Sequence, residues 1–206
     1  MNVADDLSII AALGDEPLTE RVRLALVELA DRNALLRASL AEMRARIFEL
    51  QQLADRDTLT PLPNRRRFLD ELERVTASAQ RHGTPAALLY VDVDNLKAIN
   101  DAHGRFVGDA ALIHVARLLK GLVRSTDMVA RIGGDEFALI LDRLDQDGAA
   151  ITAERIARKV ARNPLDMGGG DVPIEVTIGS AAIRPGDTPD EVMQRGTRSV
   201  YLAKAA

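Results

Sequence analysis

A seven-residue repeat of apolar residues near the N-terminus constrains the fold of this 206-residue chain more than any other feature of its sequence. Neither glycine nor proline occurs between Pro17 and Pro61, so one uninterrupted helix is predicted over residues 18–57. Two interleaved series within this helix form the seam of a coiled coil over five heptads. They are Leu26, Asn33, Leu40, Ile47 and Ala54 at position a, and Val22, Leu29, Leu36, Met43 and Leu50 at position d.

The polar residue of this seam, Asn33, indicates how many helices associate. An Asn at position a pairs with its twin across a two-stranded parallel coil and disfavours other registers. A parallel homodimer is therefore predicted, and the alternative is an amphipathic helix packed on its own domain. Residues 1–17, which include Gly14 and Pro17, are interpreted as an N-terminal cap or short helix.

Composition narrows the class of protein. Apolar residues make up 47% and charged residues 28%, as in ordinary globular proteins, and the absence of cysteine excludes disulfides, thiolate zinc sites and a cysteine nucleophile. A sequence pI near 5.5 argues against broad binding to nucleic acid or anionic membranes. Since no apolar run reaches the roughly 20 residues of a membrane span and no signal-peptide pattern is present, a cytoplasmic protein without nucleic-acid or membrane partners is expected.

Helical and strand patterns alternate from residue 57 onward, which predicts an α/β (α+β) sandwich with helices packed over one sheet. Two short apolar runs joined across Gly133-Gly134 predict a β-hairpin. The predicted strands cover residues 86–92, 128–131, 137–141 and 174–182, and the predicted helices cover 64–80, 96–102, 108–123, 148–162 and 189–205.

Acidic residues stand at the ends of two predicted strands. Asp92 and Asp94 follow the first strand, whereas Asp135 and Glu136 lie at the tip of the hairpin. If the hairpin lies beside the first strand, the carboxylates of Asp92 and Asp135 converge, and hard oxygen donors without His or Cys select Mg²⁺ or Mn²⁺. The alternative is that Asp92 and Asp94 only cap a helix and that the two glycines only form a turn.

A phosphate-binding element is predicted next to these acids. Lys97 opens a helix whose free backbone N–H groups and dipole favour phosphate. A hard metal beside a helix N-terminus and a lysine is typical of nucleotide phosphoryl or nucleotidyl transfer.

Three motifs, in this order, closely resemble the GGDEF family of diguanylate cyclases. They are Asp-Thr-Leu-Thr-Pro-Leu-Pro-Asn-Arg-Arg at 57–66, Asp-Val-Asp-Asn-Leu-Lys-Ala-Ile-Asn-Asp at 92–101 and Arg-Ile-Gly-Gly-Asp-Glu-Phe at 131–137. The resemblance implies a GGDEF domain at 57–206 with a fold similar to the polymerase palm and the nucleotide cyclases. The heptad pattern places a coiled-coil dimerisation helix before it, at 18–56. The resemblance also implies an enzyme, a nucleotidyltransferase that condenses two GTP into cyclic di-GMP and two pyrophosphates.

The resemblance further implies roles for individual residues. Asp92, the backbone carbonyl of Val93 and Asp135 would hold Mg²⁺ or Mn²⁺, with Asp135 also accepting the proton of the 3′-hydroxyl and Glu136 supporting the metal. The implied substrate-binding residues, among which Asn100 and Asp109 read guanine, are Leu96, Lys97, Asn100, Arg105, Asp109 and Lys204. Arg124 and Asp127, separated from Gly133 by five residues, match an RxxD product-inhibition site.

Several positions depart from the family pattern. Pro61 replaces a usual Gly, Leu96 a Phe, Arg105 a frequent His, and Gly196-Thr197 an Ala-Asp pair. The sequence also ends at Ala206, before the Gly-Arg-Asn-Arg that usually follows the Lys204 position. These departures are expected to weaken GTP affinity without changing the metal ligands.

A homodimeric, Mg²⁺-dependent diguanylate cyclase with product inhibition is therefore the leading hypothesis. One alternative is a weakly active or inactive GGDEF module that acts as a cyclic di-GMP receptor or docks to a signalling partner. A second alternative is a cyclase that acts on one nucleotide and needs no facing dimer.

Overall fold

The N-terminal helix is α1, Glu20–Ala54, whose 35 residues confirm the predicted long helix. The structure, a computed structural model, describes residues 19–205, with the side chains of residues 48–53 excepted, so the cap predicted for residues 1–17 lies outside the described residues. Side chains at the predicted seam remain 49–65% exposed in the single chain, namely Leu29, Leu36, Leu40, Met43 and Ile47. No helix within residues 19–205 is long and apolar enough to cross a membrane.

A second compact unit begins at Leu53 and contains all the strands that the structure describes. Its elements are α2 Arg65–His82, β1 Ala86–Val93, α3 Leu96–His103, α4 Arg105–Leu122, β2 Met128–Arg131, β3 Glu136–Asp142, α5 Gln146–Ala161, β4 Leu165–Asp166, β5 Asp171–Val172, β6 Val176–Ile183 and α6 Pro189–Lys204. Every helix and strand predicted here is present, with ends that differ by a few residues. The short β4–β5 pair was not predicted.

Four antiparallel strands form one sheet in the order β2-β3-β1-β6. The central strand, β1, is almost wholly buried because its side chains alternate between two apolar cores. Leu89 and Val91 pack in the core beneath α4 and α5, whereas Leu88 and Tyr90 pack in the core beneath α2 and α6. The helices therefore cover both faces of the sheet, and this is why β1 reads as a continuous apolar run rather than an alternating one.

The two helices that cover the second core, α2 and α6, begin at well-defined caps. The Asn64 side chain accepts a hydrogen bond from the Arg67 N–H at the start of α2 (3.1 Å). Thr188 and Glu191 form a reciprocal capping box at the start of α6, and Pro189, directly after Thr188, occupies the first helical position. These caps fix where α2 and α6 enter the domain.

Helix α6 approaches the sheet closely because two glycines leave room for it. A Cβ at Gly179 on β6 would overlap the backbone N of Val200, and a Cβ at Gly196 on α6 would lie 2.7 Å from Leu88 Cδ2. This close approach directs the C-terminal end of α6 toward the end of β1, where Asp92 lies.

We expect Gly179→Ala to lower the free energy of unfolding by about 1–3 kcal/mol, because the added methyl group forces α6 away from β6. Gly121→Ala in α4 is the control, since nothing lies within 4 Å of its Cβ position. That change should be neutral or stabilise by about 0.5–1 kcal/mol. Equal urea-unfolding midpoints for the two variants would contradict the close packing of α6.

Candidate active site

The end of β1 lies beside the hairpin formed by β2 and β3, which is the arrangement that the convergence of Asp92 and Asp135 requires. Asp92 is opposite Glu136 in the register of β1 and β3. One residue further on, the Val93 N–H donates to the backbone carbonyl of Asp135 (3.0 Å). The strand end that carries Asp92 and the hairpin tip that carries Asp135 are thus joined by a backbone hydrogen bond.

A cation already lies against the acidic end of β1. The Lys204 ammonium is 2.5 Å from Asp92 Oδ1 and 3.4 Å from Asp94 Oδ1. Partial burial by itself lowers the pKa of Lys204, but the hydrogen bonds and charges of Asp92 and Asp94 leave it above its usual range. Thr177 on β6 donates to both carboxylate oxygens of Asp94 (2.9 Å each) and so fixes that side chain.

The donor set of this site suits a hard divalent metal. Within residues 19–205, no group of three or more His, Cys, Asp or Glu side chains is arranged to hold a metal ion. The predicted set needs only two such side chains, Asp92 and Asp135, together with the Val93 carbonyl. Since the Lys204 ammonium shows that the carboxylates attract a cation, and all the donors are oxygens, the residues fit Mg²⁺ or Mn²⁺.

The Glu136 side chain lies on the face of the sheet that α2 and α6 cover, the same face as Tyr90. Its carboxylate lies over Gly133, where a Cβ would overlap Oε2, and is hydrogen-bonded to the Tyr90 hydroxyl. Burial, followed by the hydrogen bond and charge of Glu136, raises the pKa of Tyr90 to about 12. Tyr90 therefore stays protonated at neutral pH and can donate to Glu136.

Helices α3 and α4 carry the residues predicted to bind a nucleotide. The Asn100 side chain lies so close to Gly108 that any Cβ there would overlap it, and Asp109 is the next residue. A tight turn at Gly104, with φ of +86°, joins the two helices and donates its N–H to the Asn100 carbonyl (2.8 Å). The two residues predicted to read guanine are thus brought to adjoining positions.

The predicted phosphate-contacting residues occupy different surroundings. Lys97 lies exposed in the first turn of α3, beside the half-buried Leu96, and Arg105 lies exposed at the start of α4. Lys204 contacts carboxylates in this structure, and its predicted contact with phosphate stays a prediction.

An ion pair that was not singled out from the sequence fixes the hairpin. The Arg131 guanidinium donates to both carboxylate oxygens of Asp57 (3.1 and 3.3 Å) and twice to the Gly134 carbonyl (3.2 and 2.7 Å). Asp57 also accepts hydrogen bonds from the backbone and hydroxyl of Thr60 (2.7 Å each). Asp57 and Arg131 are the first residues of two motifs quoted above. Their opposite charges are the feature of the sequence that could have indicated this contact.

The predicted product-inhibition residues form a closed turn before β2. The Asp127 carboxylate accepts from the N–H groups of Arg124 (2.9 Å) and Asp142 (3.1 Å). Arg155 on α5, which the sequence analysis missed, lines the same cavity and donates to the Leu122 carbonyl (3.1 Å). No spacing rule links Arg155 to Arg124, because only the packing of α5 brings them together.

Comparison with known families agrees with these motifs. The model for "Diguanylate cyclase, GGDEF domain" matches residues 54–206. The chain belongs to the GGDEF family of diguanylate cyclases. It is similar to the bifunctional diguanylate cyclase/cyclic di-GMP phosphodiesterase MucR of Pseudomonas aeruginosa, with 39% identity over 84% of this chain and 25% of MucR. The chain spans 25% of the length of MucR and 41% of that of the diguanylate cyclase TpbB, also of Pseudomonas aeruginosa.

Two solved structures extend the likeness of this GGDEF protein to the N-terminal helix. The coiled coil and GGDEF domain of DgcB from Caulobacter crescentus, in complex with c-di-GMP, superpose with a TM-score of 0.76 at 32% identity, over 86% of this chain and 94% of DgcB. The diguanylate cyclase SiaD of Pseudomonas aeruginosa, in complex with its activator SiaC, gives 0.75 at 29% identity, over 98% of this chain and 78% of SiaD. The expected fold class is therefore confirmed.

We expect Asp57→Asn to lower the free energy of unfolding by about 2–3 kcal/mol at pH 7, because it leaves the largely buried Arg131 guanidinium without its charge partner. Although partial burial raises it, bonds from Thr60 and Arg131 hold the pKa of Asp57 below its ordinary value of 3.8. The carboxylate therefore stabilises the fold fully above the unfolded-state pKa and less as the pH falls below it.

Denaturant titrations of wild type and Asp57→Asn between pH 3 and pH 8 measure this difference. The deficit should be constant above about pH 5 and shrink below about pH 4. Asp70→Asn, an exposed acid on α2, serves as the control. A pH-independent deficit would show that the Asp57 charge does not stabilise the hairpin.

Proposed function

We propose that this protein is a diguanylate cyclase that condenses two GTP into cyclic di-GMP across a homodimer. The observation that carries the proposal is the hydrogen bond between Val93 and Asp135, which joins the strand end that carries Asp92 to the GGDEF hairpin. Family membership and an intact Gly-Gly-Asp-Glu-Phe sequence support the same activity. Because GTP is a cytoplasmic nucleotide, we place the reaction in the cytoplasm.

The residues at this junction account for the chemical step. Asp92, the Val93 carbonyl and Asp135 would hold Mg²⁺ or Mn²⁺, which supplies charge neutralisation at the α-phosphate and acidifies the 3′-hydroxyl. Asp135 accepts the 3′-hydroxyl proton, and that oxygen forms a bond to the α-phosphorus of the facing GTP as the bond to pyrophosphate breaks. A second, symmetric transfer closes the ring and releases the second pyrophosphate.

Nucleotide selection is assigned to α3 and α4. The Asp109 carboxylate can accept from both edge N–H groups of guanine, and the Asn100 amide can serve the carbonyl side. Adenine lacks this pair of donors, so the arrangement favours GTP over ATP. Leu96 and Lys97 at the start of α3, together with Arg105 and Lys204, are assigned to the triphosphate.

Dimerisation is assigned to α1. One GGDEF domain binds one GTP, so two half-sites must face each other about a two-fold axis. The exposed seam of α1, from Leu29 to Ile47, is buried if a second copy packs along it in parallel, with Asn33 paired to its twin. Such a coil would also raise the effective concentration of the two domains.

Product feedback is assigned to the cavity lined by Arg124, Asp127 and Arg155. Two guanidinium groups beside one carboxylate can bind a phosphodiester and a guanine together. DgcB was solved in complex with c-di-GMP, which shows that a related domain binds this ligand.

A second candidate function is a cyclic di-GMP receptor with little catalytic activity. The exposed Arg105 at a usual His position favours it, because a changed side chain among the substrate-binding residues would slow turnover without affecting the Arg124 cavity. A cyclase acting on one nucleotide shares the metal chemistry but leaves the exposed seam of α1 without a role.

Product analysis after incubation with GTP and Mg²⁺ tests the proposal. We expect wild type to form cyclic di-GMP and Asp135→Ala to form at least about a hundredfold less, because it removes both a metal ligand and the proton acceptor. Asp147→Ala, which removes an exposed acid on α5, should retain wild-type activity.

Two other outcomes would each support one of the alternative functions. No product from wild type, with cyclic di-GMP binding that Arg124→Ala abolishes, would establish the receptor. Cyclic GMP as the product of a monomer would establish the one-nucleotide cyclase.

A further inference from the structure

Lys204 lies against the acidic end of β1, where the metal is proposed to bind. Its ammonium, at the last residue of α6, is 2.5 Å from an Asp92 oxygen and 3.4 Å from an Asp94 oxygen. The carboxylates of Asp92 and Asp94 are only 20% and 23% exposed, whereas the Lys204 side chain is 41% exposed. The acids are held in place, and the lysine can leave toward solvent.

Strand neighbours fix the Asp94 side chain and the backbone of Asp92 independently of Lys204. Asp94 accepts from the Thr177 hydroxyl, and its backbone N–H donates to the Glu175 carbonyl (2.9 Å). Asp92 lies in the register between β3 and β6. Loss of the lysine would therefore leave both acids at the end of β1 with their negative charges uncompensated.

A divalent ion and the ammonium cannot both bind there. Mg²⁺ binds carboxylate oxygens at about 2.0–2.1 Å, so at Asp92 it would lie within a few ångströms of a like charge in a partly buried site. Metal binding therefore requires Lys204 to withdraw. The triphosphate that accompanies the metal offers the withdrawn ammonium a new anionic partner.

We infer that Lys204 is an internal competitor for the metal site, which makes metal binding weak until a nucleoside triphosphate arrives to take the ammonium. The inference rests on the proposed function only in assuming that the metal and the triphosphate share this site. Linkage then requires that the nucleotide raises metal affinity by the same factor as the metal raises nucleotide affinity. By exchanging the carboxylates for the triphosphate, Lys204 couples the two binding events.

Binding of Mn²⁺ to the full chain in the absence of nucleotide tests this inference, with electron paramagnetic resonance measuring the free ion. We expect Lys204→Gln to bind Mn²⁺ about tenfold more tightly than wild type, the size of one charge-assisted hydrogen bond. A non-hydrolysable GTP analogue should raise the Mn²⁺ affinity of wild type by a larger factor than that of Lys204→Gln.

Two further variants distinguish the effect of the position of Lys204 from the effect of net charge on Mn²⁺ affinity. Lys159→Gln removes the same charge from an exposed site on α5 and should bind Mn²⁺ like wild type. Lys204→Arg keeps a cation at the site and should bind Mn²⁺ as weakly as wild type does. Circular dichroism and thermal melting of each variant confirm that it is folded.

Equal Mn²⁺ affinity for wild type and Lys204→Gln, including undetectable binding by both, would overturn the inference. Equal tightening in Lys159→Gln would also overturn it, because net charge alone would then be the cause. The proposed function fails separately, if wild type makes no cyclic di-GMP while Lys204→Gln still binds Mn²⁺ more tightly.

Discussion

The ion pair between Arg131 and Asp57 is the contact on which the geometry of the site depends. It joins two segments that are 74 residues apart, the turn that begins the domain and the strand that enters the GGDEF hairpin. The same guanidinium holds the Gly134 carbonyl, so the tip that presents Asp135 is fixed from the side of the domain where the chain enters. We propose that this contact sets the orientation of the hairpin relative to the turn at Asp57, where the domain begins.

Close packing of α6 provides the second constraint. Gly179 and Gly196 allow the helix to approach β6 and β1, and this approach carries Lys204 to Asp92. The departure of Gly196-Thr197 from the usual Ala-Asp has a steric explanation at its first position, because Leu88 fills the space that a Cβ would need. The close packing of α6 against β6 and β1 therefore places Lys204 at the acidic end of β1.

Local patterns predicted most of the elements, since periodicity, caps and turns are encoded over short stretches of sequence. The long α1, the hairpin at Gly133-Gly134 and the buried β1 all followed from such patterns. The predicted start of α4 at residue 108 was late by three residues, because the turn at Gly104 lets the helix begin at Arg105. The strand order and the two-sided core depend on long-range pairing, which short stretches do not specify.

The candidate site was predictable where family motifs carry it and not where packing creates it. Asp92, Asn100 and Asp135 stand within quoted motifs, Asp109 follows one of them by eight residues, and their assigned roles stay predictions. The contact of Lys204 with Asp92 spans 112 residues, and the approach of Arg155 to the Arg124 turn depends on how α5 packs. No residue spacing in the sequence specifies such contacts.

The central claim is that α1 holds two half-sites face to face, and its most direct test compares two deletions in that helix. Removing residues 37–43 keeps the heptad phase, whereas removing residues 37–40 turns the downstream seam by roughly 50°. With light scattering confirming dimers, the account predicts near wild-type cyclic di-GMP formation for the seven-residue deletion and a loss of at least about tenfold for the four-residue deletion. Unchanged turnover in a dimeric four-residue deletion would contradict it.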